Sequence, residues 1–203
     1  MVRRRCMAMT VLLFTVMASN WVVASPQGLG SEANEGCLCH TPDAATRVSI
    51  SGLPAAYEAN ASYDIVVSIL SSIETAENDA QGGFRLLVSN GTMQMNTTNV
   101  QALDGGWTHT EHGSHQRSWS MTWISPSDNT SRTDFIVHGN AVNGNNAQTG
   151  DAWSTHEVTV PGVAFEGDVD PAEGIDGLSA TDRALLLMVL VLLVGLLWVT
   201  GRK

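Results

Sequence analysis

Between two apolar ends, the hydrophobic residues of this chain recur at every second position rather than at the 3.6-residue spacing of an amphipathic helix. Trp119, Met121 and Trp123 alternate with Ser118, Ser120 and Thr122, while Phe135 and Val137 alternate with Asp134, Ile136 and His138. Tyr63, Ile65, Val67 and Ile69 share one face of YDIVVSIL, and Phe84, Leu86 and Val88 share one face of GFRLLVS. Further short runs at residues 47–51, 100–103 and 157–160 bring the expected strands to about seven, separated by Gly, Asn, Asp, Ser and Pro turns. Such a pattern predicts an all-β fold, an immunoglobulin-like or fibronectin-like β-sandwich. Each sheet is expected to turn one face to a shared core and the other to water. Trp119 and Trp123 then read as core anchors rather than a platform for stacking ligands.

The two ends predict a compartment. Arg3, Arg4 and Arg5 precede a largely apolar run, and Val22, Val23 and Ala24 offer small residues at a cleavage position, so residues 1–24 read as a signal peptide. Residues 25–165 form the expected ectodomain. Residues 166–183 shift to Gly, Pro, Ala and acid and read as a flexible acidic linker. Residues 184–200 (ALLLMVLVLLVGLLWVT) would reach about 25 Å as a helix, enough for a transmembrane helix across a core of about 30 Å with local thinning. Arg202 and Lys203, in a short tail of residues 201–203, are expected to stay cytoplasmic. The chain should therefore meet the membrane through its C-terminal helix, body outside.

The formal charge of −10 becomes −13 once three arginines leave with the signal peptide and no acid leaves with them. That balance excludes nucleic acid as an expected partner and favours solubility, also in salty water. Asn60, Asn90, Asn96 and Asn129 begin Asn-x-Ser/Thr sequons in predicted turns, which would mark a glycoprotein in a glycosylating compartment.

The order of motifs resembles a known family. GCLCH at residues 36–40, GGFRLLV, His109-Thr110, WSMTWISP and FIVHGNAVNGNNAQTGD are similar to exported prokaryotic domains called choice-of-anchor V, related to Reeler domains. The resemblance implies a β-sandwich held at the cell surface by interchangeable C-terminal anchors. It implies no defined activity, and many such relatives carry Cys-x-x-Cys-His where this chain has Cys37-Leu38-Cys39-His40.

Cys37 and Cys39 are the only cysteines expected in the mature chain, outside the reducing cytosol. Three readings stay open. A disulfide between them closes a small strained ring and would act as a structural clip. A copper or zinc ion would find two thiolates and His40, with a fourth ligand from His109, His112 or His115 in WTHTEHGSHQ. A c-type haem would use the same cysteines, with His40 and His109 as axial ligands, although losing one intervening residue breaks the helical turn that aims both sulfurs at one porphyrin edge. His138 and His156 read as packed or surface residues.

The loop at residues 138–151 invites a calcium reading through Asn140, Asn143, Asn145 and Asp151, but one carboxylate among amides favours turn chemistry. Glu111 beside His112 lacks a predicted pocket, and no nucleophile elbow, phosphate loop or zincin helix is present, so an enzyme is not expected. The leading reading is a membrane-anchored binding or display module whose surface ligand the sequence does not specify. The competing one is an extracytoplasmic redox module whose electron-transfer partner is equally unspecified.

Overall fold

The computed structural model describes residues 25–76, 79–145, 147–169 and 180–200, without the side chains of residues 180, 194 and 196–200. The expected signal peptide and cytoplasmic tail lie outside these residues, as does most of the expected linker. The chain divides into two units, Met1–Phe165 and Glu166–Lys203.

The first unit is a two-sheet β-sandwich. Sheet A has the order β1 (Thr41–Pro42), β10 (Ala152–Pro161), β9 (Arg132–Ala141), β4 (Gly82–Val88), β7 (Gly106–His109) and β6 (Val100–Leu103). Sheet B has the order β2 (Arg47–Ser51), β3 (Ser62–Leu70), β8 (Ser118–Ile124) and β5 (Thr92–Met95). All pairings are antiparallel except β1 with β10. All seven strands expected from alternation are present. The other three are β1, two residues long and ending in proline, and the short β5 and β7.

The alternation sends Ile65, Val67, Ile69, Trp119, Met121 and Trp123 of sheet B against Phe84, Leu86, Phe135 and Val137 of sheet A. Trp123 is fully buried, edge-on to Tyr57 and Phe135 and stacked on Tyr63, with centroids 5.5, 5.0 and 5.5 Å away. Its indole N–H donates to Asn90 O at 3.2 Å. Trp119 packs at 4.7 Å on Phe84 and donates to Gly113 O at 2.9 Å. Each indole thus buries its ring and still pairs its polar atom.

Sheet A departs from the expectation of one wet face. Gly82, Gly83, Phe84, Arg85 and Leu86 are buried in succession on β4, because residues 25–42 lie across the outer face as a strap. Arg85 points into that strap. It donates from Nε to Asn34 Oδ1 at 3.0 Å, from Nη1 to Leu29 O at 3.2 Å and Leu103 O at 2.7 Å, and from Nη2 to Asp104 O at 2.9 Å. Beside it, His138 pairs Nδ1 with Thr155 Oγ1 at 2.8 Å and Nε2 with Asn34 O at 3.0 Å. Strap and sheet are joined by hydrogen bonds that leave a buried cation paired.

In the second unit one helix, α1 (Ala180–Thr200), covers the apolar run, and its described side chains are exposed. Among the described residues no helix is long and apolar enough to cross a membrane. The side chains at residues 194 and 196–200, part of the expected span, fall outside that description.

Trp123→Ala removes the ring that three aromatics pack against and is expected to lower stability by roughly 3–5 kcal/mol. Reversible denaturant unfolding checks this, and a loss below about 1 kcal/mol would place the side chain outside the effective core.

Candidate functional site

Four of the stretches singled out by sequence meet at one end of sheet A. Gly82 pairs with Ala141, and Ala141 pairs with Ala152, so the starts of β4 and β10 and the end of β9 lie side by side. The strap brings His40 to the same place, since β1 follows it and pairs with the start of β10. A cavity of about 80 Å³ opens there, and its lining includes His40, Gly83, His109, Asn140 and Asp151. Its walls are otherwise mostly small apolar groups, and the volume accommodates several water-sized groups but no tetrapyrrole.

His40 is set by a tight turn and by the strand beneath. Its amide donates to Cys37 O at 2.9 Å, and its carbonyl accepts from Trp153 Nε1 at 3.1 Å. Gly36, with φ of 115°, lies flat on the Trp153 ring, where a Cβ would collide. This conformation admits glycine and few other residues. The His40 Nδ1 atom stands 3.1 Å from Asp151 Oδ2 but out of line for a hydrogen bond, so at ion-pair distance it is still an unsatisfied buried nitrogen. Asn140 Oδ1 is a second buried atom with no partner.

Asp151 closes the β9–β10 loop by accepting the Asn143 amide at 3.0 Å on its other oxygen. Burial pushes its carboxyl up, while the Asn143 amide and His40 pull it back. Asn143 and Asn145 spend their side chains inside the loop: each donates to Thr149 O, at 3.0 and 2.8 Å, and they accept the amides of Asn145 and Ala147. The four oxygens of the calcium reading therefore do not converge. Asn143 and Asn145 spend their side-chain oxygens on the turn, as the amide-rich composition implied, while Asn140, Asn145 and Asp151 line the cavity. Arg117 holds the neighbouring rim by donating to Gln81 O and Ile73 O, both at 2.8 Å.

His109 lies at the end of β7, where it lines the cavity with its Nδ1 engaged. The Phe84 amide donates to its Nδ1 at 3.2 Å, and the ring packs where a side chain on Gly83 would be. Burial lowers its pKa to about 4, an effect that backbone contacts with Phe84 and Ser25 only partly offset. It is a buried histidine that burial keeps neutral, with Nδ1 engaged. His112 and His115 are exposed on a 3-10 turn, His112–His115, with His112 Nδ1 2.8 Å from Asn99 Oδ1. They do not approach His40.

The cysteines correct the expectation most directly. No disulfide joins them: Cys37 is buried beneath the strap turn and Cys39 is exposed. Burial, reinforced by Cys39 nearby, pushes the Cys37 thiol up to about 12, which keeps it protonated and inert. Thiols with such different surroundings do not present a common face to metal or porphyrin, so the covalent haem reading and the two-thiolate metal reading do not fit. Among the described residues no three His, Cys, Asp or Glu side chains gather around one point. The clip at residues 36–40 is the backbone turn itself, wedged by Cys37 and Trp153. Trp153, Arg85 and the His40–Asp151 pair went unnoticed in the sequence, and only the adjacency of polar letters to turn motifs hinted at them.

Two outcomes follow for these side chains. The unfolded chain accepts a proton on His109 near pH 6.5 whereas the folded ring resists it down to about 4. Its contribution is therefore whole above pH 6.5 and drains away, by roughly 3 kcal/mol, as pH falls toward 4. His109→Asn, which keeps an acceptor for the Phe84 amide, should flatten that part of the stability profile measured by denaturant unfolding; an unchanged slope would contradict the assignment. For the thiols, a short iodoacetamide pulse on the folded protein should modify Cys39 and spare Cys37 until denaturant is added. Equal labelling, or a two-hydrogen mass deficit in the peptide, would contradict the described burial.

No family model and no curated protein matches the sequence. Among solved structures the chain is similar to the Reelin-N domain of F-spondin, at 16% identity over 60% of this chain and 89% of that one, with a TM-score of 0.38. It is similar to the human F-spondin reeler domain at 15% identity over 60% and 92%, with a TM-score of 0.39. A conjugative transposon lipoprotein from Bacteroides eggerthii is similar at 8% identity over 62% and 100%, with a TM-score of 0.35.

Proposed function

We propose that this chain is an exported, membrane-tethered surface module of the choice-of-anchor V and Reeler-like kind, and that the cavity end of its sandwich is the recognition surface. The observation that carries this reading is the convergence of the strap, the β4 glycines, His109 and the β9–β10 loop on one cavity, far from where the chain leaves the domain. β10 begins at the cavity beside Asp151 and ends at Pro161, and its ten residues rise about 30 Å toward the exit at Phe165. The chain thus exits the sandwich at the end opposite the cavity.

Three further features support it. Leu185, Leu187, Val189 and Leu192 of α1 are each more than half exposed, an apolar surface that a bilayer would cover. Lys203 is the chain's lone lysine, so the sandwich carries none, and its acidic surface favours solubility over association with anionic headgroups. The sequons at Asn60, Asn90 and Asn129 lie in turns at the exit end, where Asn60 N bonds Pro126 O and Asn90 O accepts from Trp123. Glycans at these three would stand clear of the cavity, whereas the Asn96 turn runs into Asn99, which bonds Thr110 next to His109.

The topology is tested on intact cells producing the chain. A membrane-impermeant maleimide should label exposed Cys39 without permeabilisation, and added protease should release a fragment of sandwich size. Labelling only after permeabilisation would place the body inside and end the proposal.

A further inference from the structure

The geometry points to a divalent transition-metal site in this cavity, formed by His40 Nδ1, Asp151 Oδ2 and Asn140 Oδ1 and independent of both cysteines. It deepens the reading of the cavity as a recognition site by naming what it takes.

Two donors bound to one zinc or copper ion, each at about 2.0–2.2 Å and roughly a right to tetrahedral angle apart, lie about 3.0–3.4 Å from each other. His40 Nδ1 and Asp151 Oδ2 are 3.1 Å apart. A hydrogen bond of that length would place the oxygen along the ring nitrogen's axis, and here it is off that axis, which leaves the nitrogen without a hydrogen-bond partner. Off-axis approach is what two neighbouring ligands show, because each aims at the ion between them. Asn140 is 5% exposed and its Oδ1 is buried and unpaired, so the same cavity holds a third acceptor that the protein leaves unsatisfied. Burying such atoms is costly unless something fills the space between them.

The donor set selects the ion. One imidazole, one carboxylate and one amide oxygen, with room left for water, suit Zn(II) or Cu(II) better than a cation demanding six or more oxygens. The supporting groups are in place. The Asn143 amide fixes the free oxygen of Asp151, and Trp153 fixes the His40 backbone. Such outer partners orient ligands and tune affinity. No lysine of the sandwich competes for the carboxylate.

The test uses the full chain purified in detergent. Isothermal titration with Zn(II) should give about one ion per chain, and Cu(II) should give an electron paramagnetic resonance spectrum with coupling to a histidine nitrogen. His40→Ala and Asp151→Asn should each weaken Zn(II) at least tenfold, and His40→Ala should remove the nitrogen coupling. Asp151→Asn keeps an acceptor for the Asn143 amide, so the loop stays folded if His40→Ala does not. The Cys37→Ser/Cys39→Ser pair and the His112→Ala/His115→Ala pair should bind as the unaltered chain does. Three results would overturn the site: no Zn(II) bound at about 100 µM, equal affinity in Asp151→Asn, or loss of binding with the cysteine pair. Metal binding by a chain whose body proves to be inside would remove the proposed function and leave the site. Surface labelling without metal binding would do the reverse.

Discussion

The guanidinium of Arg85 sits on the outer face of a sheet whose alternation would ordinarily leave that face to water. A buried cation of this kind is tolerable only when its donors are met, and the acceptors come from two places: Leu103 and Asp104 at the β6–β7 turn, and Leu29 and Asn34 in the strap. Neither group suffices alone. The strap is therefore part of the fold and not a leader draped over it, and the position of His40 depends on that attachment. Arg117 repeats the arrangement at the rim, where carbonyls of the β3–β4 loop gather on one side chain.

The sandwich was readable because β3, β8 and β9 show their inward faces in the sequence. β3, β8 and the first half of β9 alternate between buried and less buried positions, which period-two alternation reports, whereas Val137 to Ala141 of β9 are buried in succession as on β4. The reading failed where that physical condition failed. β4 is buried on both sides, and Arg85 in GGFRLLV looks like an ordinary solvent-facing position until something covers it. β7 carries GWTH, in which a glycine and a histidine replace the expected apolar residues because the strand packs under the strap and against Gly83. No periodicity identifies residues 25–42 as a covering segment, since a strap needs acceptors and turns rather than an apolar face.

The candidate site was partly readable for a different reason. His40, His109, Asn140 and Asp151 all draw notice in the sequence, but His40 and His109 fall to one candidate site and Asn140 and Asp151 to another, because sequence distance separates the two pairs. Chemistry of the letters suggested ligands; topology decides which letters meet. Proximity in sequence misled in the opposite direction for Cys37 and Cys39, whose two-residue spacing places one under the strap turn and the other in solvent. Gly36 against Trp153 explains why that turn is so tight, and the turn sets the two thiols apart.

The course of β10 has a mechanical side. Its first residue adjoins the cavity, its last adjoins the exit, and the antiparallel register with β9 is unbroken from the Ala152 pair to the Pro161 pair. Hydrogen bonds in such a ladder run across the strands. A force applied along β10 would therefore load the ladder in shear, with the rungs resisting together instead of opening in turn from one end. The β9–β10 ladder, ten residue pairs long, joins the cavity end of the sandwich to its Pro161 end, so a load applied between those ends would fall on all its rungs at once.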